Sequence, residues 1–396
     1  MEFGDTPQEE ALRAEARAWL ESTFPAWRES AGNPARYSSE QRRAWHRKEF
    51  EGGWGAPSWP ADYGGRGFGP VEYAIWAEEK ARIGANIPFN VAGFGMAGPT
   101  IIAHATDEQK KQYLPPLLAG DEIWCQLFSE PGAGSDLAAL TTRATRDGDG
   151  WVVTGQKVWS SSAHEADFGI LLARYDFDKP KHEGLIYFIV DMHSPGVEVR
   201  PLRQISGESE FNEVFLSKVH VLDENRIGEP GDGWRVAMTT LMFERMSIGS
   251  ATGGYTFPFE RLVELARAHG RPGVLDRQAL ADVYTRYKIL DLLNARVLSK
   301  LRKGEIPTAE GSILKIALAD LVSASAALGV RLLGGEGLLL TEGGPQRAFL
   351  EAPAFHIGGG TDEVQRNVIA ERVLGLPRDE RPDKVGPFSE SSRARR

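Results

Sequence analysis

Apolar residues recur with two different periods along this 396-residue chain, and the order of the two periods constrains the fold more than any other feature. Up to about residue 120, and again over about 233–378, the spacing is that of amphipathic helices. Between these segments, over about 122–225, apolar and polar residues alternate in short runs that predict strands. Helices, then strands, then helices indicate an α+β fold with a small β-barrel or sandwich between helical regions.

The predicted domain boundaries follow the two changes of period. We expect an N-terminal helical domain over residues 1–121, a middle β-domain over 122–232 and a C-terminal helical bundle over 233–396. Thr6 and Thr106 each begin a capping box, which predicts helices over 7–20 and 110–118, the second disturbed by Pro115-Pro116. Further helices are predicted at 234–253, 259–269, 277–302, 310–333 and 364–373. Strands are predicted at 151–154, 157–160, 168–174, 185–191, 197–202 and 214–221, with a hairpin turn at 147–150.

Composition excludes several classes of protein. Lys plus Arg number 46 and Asp plus Glu number 55, so a general nucleic-acid binder is not expected. The apolar stretches at 184–190 and 337–341 are far shorter than the ~20 residues of a membrane span. An acidic N-terminus without an apolar core lacks a secretory signal, and Cys125 alone can form neither an intrachain disulfide nor a cysteine zinc cluster. A cytoplasmic protein fits these features.

Motifs of several common enzyme classes are also missing from the sequence. The chain has no phosphate-binding loop of the G-x-x-x-x-G-K-[ST] type, no G-x-G-x-x-G after a strand and no G-x-S-x-G. Its eight histidines are scattered without the spacing of metal ligands, so no metal site is expected.

One helix carries the clearest candidate for chemistry. Over residues 236–255 only Glu244 and Arg245 are charged, and the helical neighbours of Glu244 are apolar, small or hydroxylated. Burial raises the pKa of a carboxyl group and a nearby arginine lowers it, a balance that suits a base for a carbon-bound proton. A buried structural ion pair explains the same pattern equally well, because such pairs also perturb pKa values.

Three further segments could contact a ligand. Residues 129–136 form a glycine-bearing loop with hydroxyls at both ends, whose backbone amides a planar or anionic ligand could approach; a plain interdomain turn is the alternative. Residues 158–162 place Trp159 beside three serines, where a flat ring could lie, although tryptophan more often packs in a core. Residues 358–363 begin a helix whose amides could hold phosphate, or Thr361 or Asp362 could simply cap it.

Together and in this order, these segments resemble the acyl-CoA dehydrogenase family over nearly the whole chain. The motifs that carry the resemblance are Ser-Glu-Pro-Gly-Ala-Gly-Ser-Asp at 129–136, Gly-Gly-x-Gly at 334–337 and Gly-Thr-x-Glu-Val-Gln-Arg at 360–366. The resemblance implies FAD as cofactor, an acyl-CoA substrate, an electron-transfer flavoprotein as acceptor, and a tetramer or dimer. The implied reaction removes the α-proton and the β-hydride of an acyl thioester and gives a trans-2-enoyl thioester.

The resemblance also assigns roles to individual residues. Leu127, Phe128 and Ser129 would line the flavin ring, Trp159 would cover it, and Ser161 would lie near its N5 atom. Thr361 and Glu363 would hold the phosphates or ribose of FAD, while Gly334, Gly335 and Gly337 would border a neighbouring subunit's cofactor. Ser135 would contact the phosphopantetheine arm of the substrate, and the backbone N–H of Gly359 would polarise the thioester carbonyl.

The sequence departs from the family pattern at the base. Many members carry a glutamate immediately before Gly-Thr, where this chain has Gly359. Isovaleryl-CoA and long-chain-type members instead place the base on an earlier helix in a Glu-Arg pair, and Glu244-Arg245 matches that position. The helix pattern and the resemblance therefore converge on Glu244, and the resemblance favours its role as the base over a structural ion pair.

Two other departures concern contacts between subunits. The usual Arg-x-x-Phe-Gly is replaced around residues 265–272, and Arg331 stands where a glutamine commonly precedes the glycine turn. Mixed tetramers with incomplete FAD sites in one chain occur among similar proteins. Two alternatives to an active dehydrogenase therefore stay open: a non-catalytic or half-site partner chain of a heteromer, and a flavin oxidase or monooxygenase on the same scaffold.

Overall fold

The structure is a computed structural model that describes residues 4–32, 37–250, 257–268, 273–305, 310–341, 343–378 and 385–391, with the side chains of residues 245–250 left out. The chain forms two compact units. The bundle unit comprises Met1–Arg42, Phe68–Ile87 and Arg245–Arg378, and the sheet unit comprises Arg43–Gly67, Pro88–Glu244 and Asp379–Arg396. The predicted boundaries at residues 121 and 232 remain predictions.

The N-terminal helices begin as their caps predict. Helix α1 (Pro7–Ser30) starts with the reciprocal capping box of Thr6 and Glu9, but continues ten residues beyond the predicted end at Leu20. Phe24 and Trp27 extend its buried stripe, and Pro25 lies within it. The helices that follow are α2 (Ser39–Glu51), α3 (Pro70–Ile83), α4 (Gly98–His104) after a π-helical turn (Gly93–Ala97), and α5 (Asp107–Ala119). The predicted disturbance of α5 was wrong, because the helix runs through both prolines.

Seven strands form the curled sheet of the sheet unit, in the order β1-β4-β2-β3-β7-β6 with β5 on β4. They are β1 (Trp124–Leu127), β2 (Arg143–Asp147), β3 (Gly150–Lys157), β4 (Phe168–Arg174), β5 (Leu185–Asp191), β6 (Val197–Pro201) and β7 (Asn212–Leu222). β1 pairs with β4 in parallel, whereas β2–β3, β3–β7, β6–β7 and β4–β5 are antiparallel. A single pair, Arg143 with Arg174, joins β2 to β4. The predicted α+β fold with a middle β-domain is therefore confirmed.

The strand predictions were right in most places and wrong in one. The hairpin turn between β2 and β3 forms where Asp147 pairs with Gly150. The predicted strand at 157–160 does not exist, because β3 ends at Lys157 and the chain turns away at Trp159, whose φ is +63°.

Helix α6 (Gly233–Ser250) follows the sheet, and the bundle unit then contains α7 (Phe259–Ala268), α8 (Val274–Arg302), α9 (Glu310–Leu333), α10 (Pro345–Ile357) and α11 (Asp362–Arg372). Leu262, Leu290, Leu318 and Leu321 form part of its buried core. At Gly329 of α9 an added Cβ would lie 2.5 Å from the Cβ of Pro345, so α10 packs closely here.

Helix α9 with the turn after it is the one described segment, Glu310–Leu338, that is long and apolar enough to cross a membrane. Half of its most apolar window is buried inside the protein, as in the core helix of a bundle, so length and composition are weak grounds for a span. The apolar stretches at 184–190 and 337–341 are shorter, and neither predicts this helix as a candidate span.

Candidate functional site

The loop after β1 is anchored at its base by a buried carboxylate. Glu130 accepts hydrogen bonds from the backbone N–H of Thr141 (2.7 Å) and of Thr142 (2.8 Å), and from the Thr141 hydroxyl (2.9 Å). Its Oε1 atom also lies 3.0 Å from Nζ of Lys157, which is fully buried at the end of β3. Glu130 and Ala133 bond to each other through their backbones at 3.0 Å in both directions. Hydrogen bonds within the loop and to neighbouring residues of the same chain therefore hold its start in place.

Electrostatics keep this carboxylate ionised. Burial alone would raise the pKa of Glu130, but the charge of Lys157 and the hydrogen bonds from Thr141 and Thr142 outweigh burial and bring that pKa to about 2. Burial lowers the pKa of Lys157, against the attraction of Glu130. The attraction between the two charges offsets part of the free energy that each loses when it is removed from water.

The three residues assigned to the flavin ring before this loop differ in exposure. The side chains of Leu127 and Phe128 are buried in two apolar cores of the sheet unit, at 0% and 3% exposure. Ser129 is half-buried, and its carbonyl accepts a hydrogen bond of 2.9 Å from the N–H of Val158. A ligand at this place would meet the backbone of Leu127 and Phe128, so the prediction that they line a ring applies to their main chain.

The turn after β3 presents an aromatic side chain to solvent. Trp159 is 60% exposed, with Phe211 edge-on at 5.7 Å between ring centroids. Its φ of +63° and the φ of +58° at Ser162 are unusual for non-glycine residues. Ser161, between them, is exposed. Strained residues held this way are often found at functional sites, because the surrounding structure must stabilise them.

Asn212, the first residue of β7, holds this turn in place. Its fully buried side chain donates a hydrogen bond of 2.9 Å to the carbonyl of Ser160, and the N–H of Ser160 donates one of 3.1 Å to the Asn212 carbonyl. The Ser160 hydroxyl and the Asn212 Oδ1 atom are buried, and neither has a hydrogen-bond partner among the described residues. Such orphaned polar atoms are uncommon and mark a place where water or a ligand group could complete the network.

The far end of the loop is fixed to the sheet by two basic residues. Lys181 lies 3.0 Å from Asp136, next to the exposed Ser135 that the resemblance assigns to the substrate arm. Arg174 donates to the carbonyls of Ala138 (2.6 Å) and Leu140 (3.1 Å), and burial lowers its pKa to about 10. The loop is therefore rigid at both ends and exposed in the middle.

Glu244 lies beside the end of β1. Its Oε2 atom is 3.5 Å from Nε2 of Gln126, three residues before the loop segment begins, and its side chain is half-buried. One helical turn earlier, Thr240 is fully buried and bonds to the hydroxyls of Thr100 (2.9 Å) and Tyr187 (3.0 Å). The structure thus brings Glu244 next to β1, the strand that leads into the loop. The side chain of Arg245 lies outside the described residues.

In the bundle unit, the three glycines of the turn at 334–337 differ in whether the backbone requires glycine at that position. Gly334 has a φ of +56°, and a Cβ at Gly337 would lie 2.5 Å from the carbonyl oxygen of Val330. An added Cβ at Gly335 would meet no atom within 4 Å. Arg331, which precedes this turn, lies 3.3 Å from Asp276 of its own chain.

The second glycine turn lies between α10 and α11. Gly359 and Gly360 have φ of +66° and +88°, and the side chain of Gln365 donates to the carbonyl of Gly359 at 2.8 Å. Among the described residues, no backbone oxygen accepts a hydrogen bond from the Gly359 amide. This donor therefore stays available for the carbonyl role that the resemblance assigns to it.

Thr361 and Glu363, the two residues that the resemblance assigns to the phosphates or ribose of FAD, differ in exposure and in their contacts. The hydroxyl of Thr361 caps α11 by accepting a bond of 3.3 Å from the N–H of Val364, as the structural alternative predicts. Glu363 is exposed and lies 3.5 Å from Arg366. Contacts of either residue with FAD stay predictions.

Sequence reasoning missed a polar network around Asp362. This buried carboxylate lies 2.7 Å from Lys315 of α9 and 2.6 Å from His356 of α10, and the other ring nitrogen of His356 lies 2.8 Å from the hydroxyl of Ser323. Asp320 completes a group whose ligand atoms, with those of His356 and Asp362, lie within 4.8 Å of one another. Lys315 already neutralises Asp362, so the group does not need a metal ion. The five residues come from three helices, α9, α10 and α11, and no short sequence motif identifies them.

A cavity of about 470 Å³ in the sheet unit lies away from these residues. Its lining includes Tyr63, Lys110 and Leu114 and none of the residues predicted for the site. A pocket's size alone does not locate chemistry, and the predicted residues are better judged by their own contacts.

The sheet-unit residues fit a flat, polar-edged cofactor. The loop glycines Gly132 and Gly134 have no positive φ, and an added Cβ would meet no atom within 4 Å at either, so the chain itself does not demand glycine there. Both glycines leave the backbone open to the close approach of a ligand. The exposed ring of Trp159 and the exposed hydroxyl of Ser161 supply a stacking face and a polar contact.

Comparison with known proteins gives one consistent family. Models of the acyl-CoA dehydrogenase N-terminal, middle and C-terminal domains match residues 6–121, 125–219 and 231–374. Acyl-CoA dehydrogenase IpdE1 of Mycobacterium tuberculosis is 38% identical over 93% of this chain and 98% of its own length. Acyl-CoA dehydrogenase FadE34 of the same organism is 43% identical over 82% of this chain, but the match spans only 45% of FadE34.

Solved structures agree with the sequence comparisons. The structure titled Tcur3481-Tcur3483 steroid ACAD has a TM-score of 0.83 and 30% identity, covering 96% of this chain and 100% of its own. The ChsE4-ChsE5 complex from Mycobacterium tuberculosis has a TM-score of 0.79 and 32% identity, and the match covers 96% of this chain and 100% of that chain. Heteromeric complexes are therefore among the structural neighbours. From its motifs, its fold and these relatives, the chain belongs to the acyl-CoA dehydrogenase family of oxidoreductases.

Proposed function

We propose that this chain is an FAD-dependent acyl-CoA dehydrogenase in which Glu244 removes the α-proton of an acyl-CoA thioester. The observation that carries the proposal is the 3.5 Å approach of the Glu244 carboxylate to Gln126, at the point where β1 enters the loop of residues 129–136. A general base must reach the proton that it removes, and Glu244 is half-buried beside the strand that leads into this loop.

The chain's own residues have distinct tasks in this proposal. FAD, when bound, accepts the hydride from the β-carbon. Trp159 and Ser161 orient the ring, and the main chain around Ser129 contacts its edge. Glu244 takes the proton as the C–H bond breaks and is the only protein group that changes protonation. The free N–H of Gly359 is the proposed donor to the thioester oxygen, which makes the α-proton more acidic.

The substrate class proposed first is a steroid-derived acyl-CoA. The support is the structural neighbour with a TM-score of 0.83, which is a steroid ACAD. An electron-transfer flavoprotein is the proposed acceptor of the electrons. Assays with a panel of steroid-derived, branched, short and long acyl-CoA esters would identify the preferred chain.

Glu244→Gln tests the proposal directly. This substitution keeps the size and the contact with Gln126 but removes the base, so we expect turnover with the best substrate to fall by about 10²–10⁴-fold. Enoyl-CoA formation with an artificial electron acceptor measures it. Glu229→Gln, at an exposed carboxylate that lies 3.2 Å from Arg226, is the matched control and should keep full activity. Full activity in Glu244→Gln would assign the proton to another group.

A second candidate is a partner chain in a heteromeric dehydrogenase. Two observations favour it: Gly359 replaces a carboxylate that many members have, and Arg331 is engaged with Asp276 of its own chain. The titles of two structural neighbours each name two components. Residues 269–272, where an intersubunit motif is expected, lie outside the described residues. Purification alone and together with a candidate partner separates a homo-oligomer from a mixed assembly.

A further inference from the structure

One buried ammonium group connects the two segments that the proposed function assigns to the flavin ring. Nζ of Lys157 donates to the carbonyl of Phe128 (2.9 Å) and to Oε1 of Glu130 (3.0 Å). These acceptors lie on either side of Ser129, and Lys157 itself is two residues before Trp159. A single side chain, 0% exposed, therefore spans the loop and the turn.

Backbone and carboxylate contacts complete the connection. The N–H of Val158 donates to the carbonyl of Ser129 at 2.9 Å, so the two segments also meet directly. Glu130 extends the network to Thr141 and Thr142 on the far side of the loop. Any displacement of Lys157 would therefore change the separation of Ser129 and the tryptophan turn, and would release the loop at its base.

Stability alone gives a weak reason for this pair. Removing two charges from water is costly, and an apolar pair of similar volume often stabilises a core equally well or better. The better-attested use of a buried ionic contact is to fix one register among several. Here the register is that of the loop against the end of β3.

We propose that Lys157, together with Glu130, is a positioning residue that holds the Ser129 segment and the Trp159 turn at the separation needed to bind the flavin ring between them. This inference rests on the proposed function. Lys157 does not touch the reacting atoms; it acts through the carbonyl of Phe128, the carboxylate of Glu130 and the start of the turn.

The test compares Lys157→Met and the double variant Lys157→Met/Glu130→Gln with the wild type as full-length protein. The double variant removes both charges and leaves no uncompensated buried carboxylate. The amide of glutamine keeps one oxygen that can accept from Thr141, whereas the N–H of Thr142 loses its carboxylate acceptor. Glu198→Gln/Arg200→Gln removes an exposed pair 2.7 Å apart in the same unit and serves as control. The readouts are thermal unfolding, hydrogen exchange of peptides covering 128–136 and 158–162, and FAD affinity of deflavinated protein.

We expect the double variant to recover most of the thermal stability that Lys157→Met loses. Its backbone amides should nevertheless exchange hydrogen faster in both segments. Its FAD affinity should be at least about tenfold lower, because about one charged hydrogen bond is lost. The control should match the wild type in all three readouts. A double variant with wild-type exchange and affinity would overturn the positioning role and leave the proposed function intact. A wild type that binds no FAD would overturn both.

Discussion

Glu244 illustrates what a single residue can and cannot reveal before the chain is folded. Its helix shows it to be one of two charged residues in an apolar stretch, but the helix alone fits a structural ion pair equally well. Its neighbour Gln126 lies 118 positions earlier in the chain, and no local pattern predicts that contact. The side chain that would decide the ion-pair alternative, Arg245, is outside the described residues.

Asp362 gives a residue-scale prediction about stability. Burial alone would raise its pKa, but hydrogen bonds from His356 and Lys315 outweigh burial and hold the pKa below its usual 3.8. A depressed carboxyl pKa stabilises the fold at pH values above the pKa of the unfolded state, and this stabilisation disappears as the pH falls through the folded-state pKa. Asp362→Asn should therefore lower the free energy of unfolding near pH 7 by about 1–3 kcal/mol.

Urea unfolding at several pH values measures this difference. We expect the gap between wild type and Asp362→Asn to shrink below about pH 4, where the wild-type carboxylate also begins to lose its charge. Asp291→Asn, at an exposed carboxylate 3.2 Å from Lys288, is the control and should change stability by less than about 1 kcal/mol. A gap that stays constant down to pH 2 would show that the charge of Asp362 does not stabilise the bundle.

At the scale of elements, the turn after β3 depends on one amide. Asn212 is used as a donor to the carbonyl of Ser160, whereas Asn225 accepts a bond of 2.7 Å from the hydroxyl of Tyr113. Asn212→Asp should therefore cost about 1–3 kcal/mol of unfolding free energy or more, because it replaces a buried donor with an acceptor. Asn225→Asp keeps its acceptor and should stay within about 0.5 kcal/mol.

Chemical denaturation follows the effect of both variants on stability. Near-ultraviolet circular dichroism follows their effect on the turn, with the contribution of Trp159 identified by comparison with Trp159→Phe, because the chain has 10 tryptophans. Equal stability losses in the two would mean that the Asn212 contacts do not hold the turn. Because the turn contains two strained φ values, we also expect Asn212→Asp to change the tryptophan signal before global unfolding.

The elements missed by sequence reasoning have physical explanations. β2 reads Arg-Ala-Thr-Arg-Asp and is a strand only because β3 pairs with it, a context that local propensity does not contain. β1 has four residues without alternation. α10 lies between two glycine turns and has Pro353 inside it, which hides its period. The long helices and the central strands were predictable because their periodic faces are continuous.

At the scale of the whole molecule, two orders along the sequence were informative. The order of helical and strand periods gave the fold class, and three separated motifs gave the family and most of the candidate residues; the three domain models match in the same order. Motifs could not give the long-range contacts of Glu244, Lys157 or Asp362, because these join residues far apart in the chain. Nor do they decide between a homo-oligomer and a mixed assembly.

Assembly and cofactor content are tested together. If the chain is a complete dehydrogenase, we expect it to purify alone as an oligomer with close to one FAD per subunit, measured by light scattering and absorbance. Flavin that appears only after co-expression with a second chain would favour the partner-chain candidate instead. Fast oxygen consumption by the reduced protein would favour an oxidase or monooxygenase.

Anaerobic absorbance during titration with acyl-CoA esters, on wild type and Glu244→Gln side by side, shows whether Glu244 takes the proton. We predict that the flavin band of the wild type bleaches with its substrate while the band of Glu244→Gln persists, although both proteins bind FAD and substrate. Equal bleaching at equal rates in the two proteins would mean that Glu244 does not take the proton.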